Sequence, residues 1–198
     1  MNLPNKITFS RLVIAVIILV LLAFPWYEVG LTFPVYLVFN RIAVDIKYVI
    51  AGVLFVIASL SDFLDGYYAR KLNIVTNFGK VMDAIADKVL VNGLLVILAF
   101  DGFISVVIPV VVITRDIIVD SIKMSAGSGG KAVAASMLGK IKTLCMMSGI
   151  ALLLFYNLPF ELIGLNVADV LVVVATILSV VSGCQYYMVN KDLIFTEK

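Results

Sequence analysis

The chain has 198 residues, of which 63% are hydrophobic and only 14% are charged, and its net charge is +2. A soluble domain of this length is usually about half apolar and about a quarter charged, so the composition predicts an integral membrane protein. The small net charge gives no reason to expect a nucleic-acid partner, and the absence of histidine removes the commonest general base and zinc ligand.

Six apolar runs are separated by polar or turn-forming breaks. Spanning a hydrocarbon core of about 30 Å takes roughly 20 residues, so the runs predict an all-α membrane protein with six transmembrane helices in a single domain over residues 1–198. The predicted spans are 10–24, 48–68, 78–100, 104–124, 136–156 and 167–188. The first run follows Lys6 and Arg11 as in a signal peptide, but AFPWYEVG offers no small-residue cleavage site, so we interpret this run as an uncleaved span.

The basic residues predict how these spans are oriented. With the N-terminus in the cytoplasm, only Arg41 and Lys47 of the 15 lysines and arginines fall on the outer side. The positive-inside rule therefore places both termini in the cytoplasm. The outer connection between the first two spans is predicted to be a long loop, with Trp26, Tyr27 and Tyr36 in an interfacial role.

Acidic residues cluster where the second span ends and the third begins. Asp62 and Asp65 share one helix face, and Gly79, Asp83 and Asp87 follow at i, i+4 and i+8 on one face of the next helix. Because the two helices are adjacent and antiparallel, we expect them to present four carboxylates to each other near the cytoplasmic end.

Carboxylates in a membrane-embedded helix are costly and mark function by default. Two like charges about 4 Å apart repel by roughly 4 kcal/mol at an effective dielectric constant near 20, so the four need protons or cations. Oxygen ligands without histidine or thiolate favour Mg²⁺ or Mn²⁺, and two ions if the site resembles other phosphoryl-transfer centres. The alternative, interfacial charges that only end two helices, explains Lys71 and Lys80 but not Asp83 and Asp87, which lie inside an apolar helix.

The stretch 61–87, SDFLDGYYARKLNIVTNFGKVMDAIAD, resembles the pattern D-x2-D-G-x2-A-R-x8-G-x3-D-x3-D of the CDP-alcohol phosphotransferases. The six spans and inward termini agree with that family. Every specified position is matched, by Asp62, Asp65, Gly66, Ala69, Arg70, Gly79, Asp83 and Asp87.

The resemblance implies a chemistry and a role for each matched residue. A CDP-linked lipid, CDP-diacylglycerol, enters from the bilayer, an acceptor hydroxyl attacks its lipid-side phosphorus, and CMP leaves. The implied ligands of two Mg²⁺ or Mn²⁺ ions are Asp62, Asp65, Asp83 and Asp87, and Asp87 is also the implied general base. The implied nucleotide and pyrophosphate site comprises Gly66, Ala69, Arg70 and Gly79. A homodimer in a bacterial cell membrane is likewise implied by the resemblance alone, whereas the cytoplasmic side of the active site follows from the basic residues.

The N-terminal segment NLPNKITFSR resembles the opening P-N-x2-T-x2-R of family members whose acceptor is glycerol 3-phosphate. Its matches are Pro4, Asn5, Thr8 and Arg11, and the resemblance assigns Asn5 and Thr8 to the CDP site. The alternative for Asn5 and Thr8 is plain helix capping.

A second cluster, of basic residues, lies in the fourth and fifth spans. Arg115 and Lys123 belong to VVVITRDIIVDSIK, and Lys140 and Lys142 belong to GKIKT. An arginine buried in lipid needs an anion, and its planar fork suits phosphate. Four cations near four carboxylates therefore favour an acceptor that carries its own phosphate, namely glycerol 3-phosphate. Inositol phosphate and serine remain alternatives, and an internal pair of Arg115 with Asp116 or Asp120 is the structural alternative.

The acceptor region departs from its relatives at three positions. In those family members the region usually has the sequence R-E-x6-R followed by G-K-x-K-T-x2-Q. This chain has Asp116 in place of the Glu, Lys123 in place of the second Arg and Met146 in place of the Gln. Aspartate is shorter than glutamate, lysine lacks the planar fork, and methionine lacks a hydrogen-bonding group. The departures concern the acceptor and leave the acidic motif intact.

Two other interpretations, a phosphate-binding loop at 125–132 and a transporter function for the carboxylates, fit the sequence less well. The stretch 125–132, SAGSGGKA, lacks the leading glycine and final Ser/Thr of a phosphate-binding loop, so it is predicted to be a flexible connection between the fourth and fifth spans.

A cation or proton transporter would carry its carboxylates near the membrane midplane on broken, repeated helices. Here they lie at one side of the membrane beside small residues.

Overall fold

In this computed structural model the described residues are 3–39, 42–71, 77–128 and 137–195, with side chains described for 7–39, 42–61, 79, 81–124 and 137–190. They form six α-helices in an order that matches the six predicted runs. The helices are α1 Leu3–Ala23, α2 Ile46–Lys71, α3 Asn77–Phe100, α4 Val107–Ser128, α5 Met137–Leu154 and α6 Val167–Phe195.

Most helix ends differ from the predicted ends because an apolar run marks the lipid-facing part of a helix rather than its last hydrogen-bonded turn. α1 begins well before residue 10, and α6 continues past residue 188 through polar residues that a helix tolerates. The predicted flexible connection is wrong for its first part, since α4 includes Ser125–Ser128; residues 129–132 lie outside the described residues.

Two of the six helices meet the length and composition of a membrane span within the described residues, at Met137–Leu154 and Val167–Asn190. Ile7–Ala23 and Ile46–Ser61 are shorter apolar helices. Large apolar side chains on the outside of the bundle are exposed on every helix. An exterior of this kind is typical of a surface in contact with lipid.

The predicted outer loop between α1 and α2 contains a β-hairpin that the sequence did not reveal. Strand β1, Val35–Val38, pairs antiparallel with β2, Ile42–Asp45, and Val35 lies opposite Asp45 in the register. Both strands are rich in β-branched residues, which suit a pleated surface. At four residues each, they are too short for an alternating pattern to stand out from the surrounding loop.

The apolar core is formed by buried residues of all six helices. Its fully buried members include Ile18, Phe55, Leu94 and Ile150. The close approach of α5 to α6 depends on Gly149, where an added Cβ would lie 2.6 Å from Val172 Cγ2. This packing holds the helices that carry the polar residues described below.

Because successive helices run in opposite directions, the polar residues collect at two ends of the bundle. At the hairpin end, Tyr48 Oη donates to Asp101 Oδ2 at 2.6 Å, and the Asp45 backbone N–H donates to Tyr156 Oη at 3.0 Å. The other end contains the predicted functional residues.

Candidate active site

The α3 half of the acidic motif lies on one helix face, as its spacing predicted. Gly79, Asp83 and Asp87 follow one another at successive turns of α3, and the two carboxylate side chains are 44% and 39% exposed. The α2 half of the motif lies within the bounds of α2. The predicted site residues whose side chains lie outside the described residues are Asn5, Asp62, Asp65, Gly66, Ala69 and Arg70.

Arg11 of α1 joins the acidic stripe, a contact that the spacing of the acids did not indicate. The Arg11 side chain is 1% exposed, and its Nη2 lies 2.5 Å from Asp83 Oδ1, 3.0 Å from the Asp83 carbonyl oxygen and 3.9 Å from Asp87 Oδ1. A buried guanidinium needs an anionic partner, and here the partner is a predicted metal ligand. In the sequence, only the opening motif P-N-x2-T-x2-R pointed to Arg11, which is the last residue that the motif specifies.

Thr8 lies one turn before Arg11 and is also buried. Since α1 begins at Leu3, Thr8 is inside the helix, and the helix-capping alternative is wrong for it. The backbone of Asn5 likewise lies inside α1. Thr8 therefore belongs to the buried face that brings Arg11 to α3.

One oxygen of Asp87 suits a metal ion. Asp87 Oδ1 is buried and accepts no hydrogen bond from the described residues, while Arg11 Nη2 lies 3.9 Å away. Buried carboxylate oxygens are nearly always paired, and an unpaired one suits a hard divalent cation. Asp83 and Asp87 are two of the four predicted ligands, and within the described residues no group of three or more ligating side chains occurs.

Arg115 of α4 is held by α6 and by its own neighbour. Its Nε donates to the Ser179 carbonyl oxygen at 3.0 Å, Nη1 to Asp116 Oδ1 at 3.0 Å and Nη2 to Ser182 Oγ at 2.8 Å. The helices approach closely here because of Gly183, where an added Cβ would lie 3.0 Å from Arg115 Cγ. A guanidinium carries five N–H donors, so Arg115 keeps donors beyond these three bonds.

Asp116 connects the two basic helices. Its Oδ1 also accepts from Lys142 Nζ at 2.9 Å, so one carboxylate oxygen joins Arg115 of α4 and the buried Lys142 of α5. The internal pair considered as an alternative is therefore present with Asp116. Asp120 pairs instead with Lys88 of α3.

Lys123 and Lys140 are the more exposed members of the basic cluster. Lys123 Nζ lies 4.0 Å from Asp120 Oδ1 and 5.9 Å from the centroid of the Tyr186 ring. Lys140 is exposed near the start of α5. Both side chains can move toward a bound anion at little cost to packing.

Two cavities lie side by side at this end of the bundle. The first, the carboxylate cavity, has a volume of about 260 Å³ and lies between α3, α4 and α5. The second, the cation cavity, has a volume of about 510 Å³ and lies between α4, α5 and α6. The residues that line both cavities are Lys123, Lys142, Thr143 and Met147.

The walls of the two cavities differ in charge. Asp87, Lys88 and Asn92 contribute to the carboxylate cavity from α3. All four basic residues predicted to bind a phosphate line the cation cavity, namely Arg115, Lys123, Lys140 and Lys142. A carboxylate on one side and four cations on the other can hold a small anionic alcohol with its hydroxyl group toward the carboxylate. A helical bundle with an apolar exterior and this arrangement at one end suits a membrane-embedded site that binds a small phosphorylated molecule.

Comparison with known proteins identifies the family. Residues 1–181 match the family model described as CDP-alcohol phosphatidyltransferase. The chain is 40% identical over 199 residues to the CDP-diacylglycerol–glycerol-3-phosphate 3-phosphatidyltransferase of Bacillus subtilis (strain 168), covering 98% of each chain. It is 30% identical over 191 residues to the protein of the same name from Rickettsia bellii (strain RML369-C), covering 96% of each chain.

The chain belongs to the CDP-alcohol phosphatidyltransferase family and is an enzyme of that class. The family consists of membrane proteins that generally depend on a divalent metal ion. The resemblance drawn from the acidic motif is therefore confirmed at the level of the family.

Proposed function

We propose that this enzyme transfers the phosphatidyl group of CDP-diacylglycerol to glycerol 3-phosphate, giving phosphatidylglycerophosphate and CMP. The observation that carries this proposal is the carboxylate cavity, whose wall contains Asp87 together with Lys123 and Lys142 of the basic cluster. A small phosphorylated alcohol can therefore reach a carboxylate and a cation at once. The names of the similar proteins from Bacillus subtilis and Rickettsia bellii support the same acceptor.

On the donor side, we assign two Mg²⁺ or Mn²⁺ ions to Asp62, Asp65, Asp83 and Asp87. The unpaired Oδ1 of Asp87 supports this assignment. When bound, such ions neutralise charge on the pyrophosphate and make the lipid-side phosphorus more electrophilic. The proposed contacts of the CDP group are Asn5, Thr8, Gly66, Ala69, Arg70 and Gly79.

Asp87 is the proposed general base. The acceptor hydroxyl gives its proton to the Asp87 carboxylate while its oxygen forms a bond to the lipid-side phosphorus, and the bond from that phosphorus to the bridging oxygen of CMP breaks. CMP leaves with the electrons of that bond. The pair between the buried Arg11 and the partly exposed Asp83 supports this step by keeping the neighbouring turn of α3 in one position.

The basic cluster is the proposed site of the acceptor phosphate. Arg115 has donors left after its three protein contacts, and Lys142 is brought next to it by Asp116. Lys123 and Lys140 add charge from exposed positions on the cavity wall. Four cations suit a phosphate better than zwitterionic serine, whose single carboxylate comes with an ammonium group that the cations repel, and a neutral polyol brings no charge at all.

For the whole chain, we propose a single domain with six membrane spans, both termini in the cytoplasm and the site on the cytoplasmic side of a bacterial cell membrane. The collection of Arg11, Arg115, Lys123, Lys140 and Lys142 at the same end of the bundle supports this orientation through the positive-inside rule. A homodimer is proposed from the family resemblance.

The decisive experiment measures CMP release by the purified protein with CDP-diacylglycerol, Mg²⁺ or Mn²⁺, and a panel of acceptors. We expect glycerol 3-phosphate to support turnover, and glycerol, which has the same hydroxyl groups without the phosphate, to support little. Thin-layer separation of the lipid product should show phosphatidylglycerophosphate. Turnover with serine or inositol phosphate, and none with glycerol 3-phosphate, would refute the proposed acceptor.

A further inference from the structure

Tyr186 of α6 lies in the wall of the cation cavity, and its hydroxyl contributes no hydrogen bond to the described part of the fold. The residue is only 7% exposed, and its Oη is buried without a partner among the described residues. A buried hydroxyl without a partner is less stable than a phenyl ring of the same shape. Packing alone therefore does not explain why this position has a tyrosine rather than a phenylalanine.

The neighbours of Tyr186 offer this hydroxyl few acceptors. Lysine and arginine side chains only donate hydrogen bonds, and four of them line the same cavity. None of the described residues that line the cation cavity is a carboxylate. The acidic residues near these cations accept hydrogen bonds from other groups, Asp116 from Arg115 and Lys142 and Asp120 from Lys88. Tyr186 Oη donates to neither of them. The hydroxyl and the cations thus suit the same kind of ligand, one that brings several acceptor oxygens.

The position of Tyr186 on α6 places it next to the groups that hold Arg115. Ser179, Ser182 and Tyr186 follow at i, i+3 and i+7, so they share one face of the helix. The carbonyl oxygen of Ser179 and the Oγ of Ser182 accept hydrogen bonds from Arg115. On the other side, Lys123 Nζ lies 5.9 Å from the centroid of the Tyr186 ring. The same face of α6 therefore positions a guanidinium and presents the tyrosine beside a second cation.

We propose that Tyr186 Oη donates a hydrogen bond to the phosphate of the acceptor alcohol, an assignment that rests on the proposed use of glycerol 3-phosphate. Tyr186 is then a substrate-binding residue that adds a neutral donor beside the four cations of the cavity. Point charges attract any anion, whereas a fixed hydroxyl favours a phosphate held in one orientation.

The test is the variant Tyr186→Phe, with Tyr187→Phe as its matched control. Tyr187 is the next residue on the same helix and is 44% exposed. It lines a neighbouring apolar cavity between α4 and α6 and does not line the cation cavity. In Tyr186→Phe we expect KM for glycerol 3-phosphate to rise about tenfold or more, because a hydrogen bond to a charged group is lost. We expect kcat and KM for CDP-diacylglycerol to stay unchanged. The midpoint of thermal unfolding in detergent should stay unchanged or rise. Tyr187→Phe should leave all four quantities unchanged.

Inhibition by inorganic phosphate separates this inference from the proposed function. If Tyr186 contacts the phosphate, the inhibition constant of inorganic phosphate rises in Tyr186→Phe by a factor similar to that for KM, whichever alcohol proves to be the acceptor. An unchanged inhibition constant together with a higher unfolding midpoint would overturn the proposal, since the hydroxyl would then be only an unpaired group. A rise confined to KM for CDP-diacylglycerol would overturn it too, because the contact would be with the donor. Failure of wild-type protein to use glycerol 3-phosphate would refute the proposed acceptor and leave the phosphate measurement to decide the role of Tyr186.

Discussion

Replacing Arg115 by lysine keeps the positive charge of the cation cavity and removes the planar fork. Arg115 uses three different nitrogens to reach the Ser179 carbonyl oxygen, Asp116 and Ser182, at 3.0, 3.0 and 2.8 Å. The single amino group of lysine cannot meet three acceptors in these directions. Asp116 still keeps Lys142 as its partner at 2.9 Å.

The structure predicts a small effect of Arg115→Lys on stability and a larger one on acceptor binding. In Arg115→Lys, Ser182 Oγ can still donate to the Ser179 carbonyl oxygen, at 3.1 Å in the wild-type structure, so neither group is left without a partner. The free energy of unfolding should therefore fall by only about 1–2 kcal/mol. The acceptor phosphate loses a forked, charge-assisted contact worth about 1.5–3 kcal/mol. Converted to a ratio of dissociation constants, this predicts a rise in KM for glycerol 3-phosphate of roughly 10- to 150-fold.

The assay follows CMP release at saturating CDP-diacylglycerol while glycerol 3-phosphate is varied, alongside thermal unfolding in the same detergent. Lys140→Ala provides the comparison, because Lys140 lies in the same cavity but is exposed; removing an exposed charge should raise KM no more than about fivefold. A wild-type KM in Arg115→Lys, with a lowered unfolding midpoint, would refute the reasoning. Arg115 would then serve only to hold α4 against α6.

Two further substitutions test the catalytic and positioning residues. Asp87→Asn should lower kcat by a factor of about 10² or more, because it removes the general base. The control variant Asp101→Asn, at the hairpin end, should leave kcat unchanged. Near-normal turnover in Asp87→Asn would exclude Asp87 as the base. Gly183→Ala introduces a Cβ 3.0 Å from Arg115 Cγ, so KM for glycerol 3-phosphate should rise several-fold. Its effect should be less than additive with Arg115→Lys, since both disturb the same side chain, and full additivity would contradict a shared cause.

Part of the fold and half of the site follow from local spacing in the sequence. The apolar runs predicted the six helices, because a helix that faces lipid must be apolar along its length. The interval of four residues from Gly79 to Asp83 and again to Asp87 predicted their common face on α3, because the α-helix has 3.6 residues per turn. The hairpin was missed, since strands of four residues give little periodic signal.

Other features depend on contacts between residues far apart in the chain. The pair between Arg11 and Asp83 joins residues 72 positions apart, and the bond from Arg115 to Ser182 joins residues 67 positions apart. No spacing rule within one helix predicts which faces of two helices meet. The sequence placed Arg115 near either Asp116 or Asp120, and only the packing of α4 against α5 and α6 selects Asp116.

The sequence by itself thus determined the family, the helical architecture and the acidic stripe, since each depends on residue type at short, regular intervals along one helix or one turn. The tertiary structure decided which side chains share a cavity: four cations from α4 and α5, and Tyr186 from α6 beside them. It also decided which buried polar atoms of the described residues lack a hydrogen bond, including Asp87 Oδ1 and Tyr186 Oη. Burial and pairing are properties of the packed bundle, because they depend on the groups that every neighbouring helix brings to the same place.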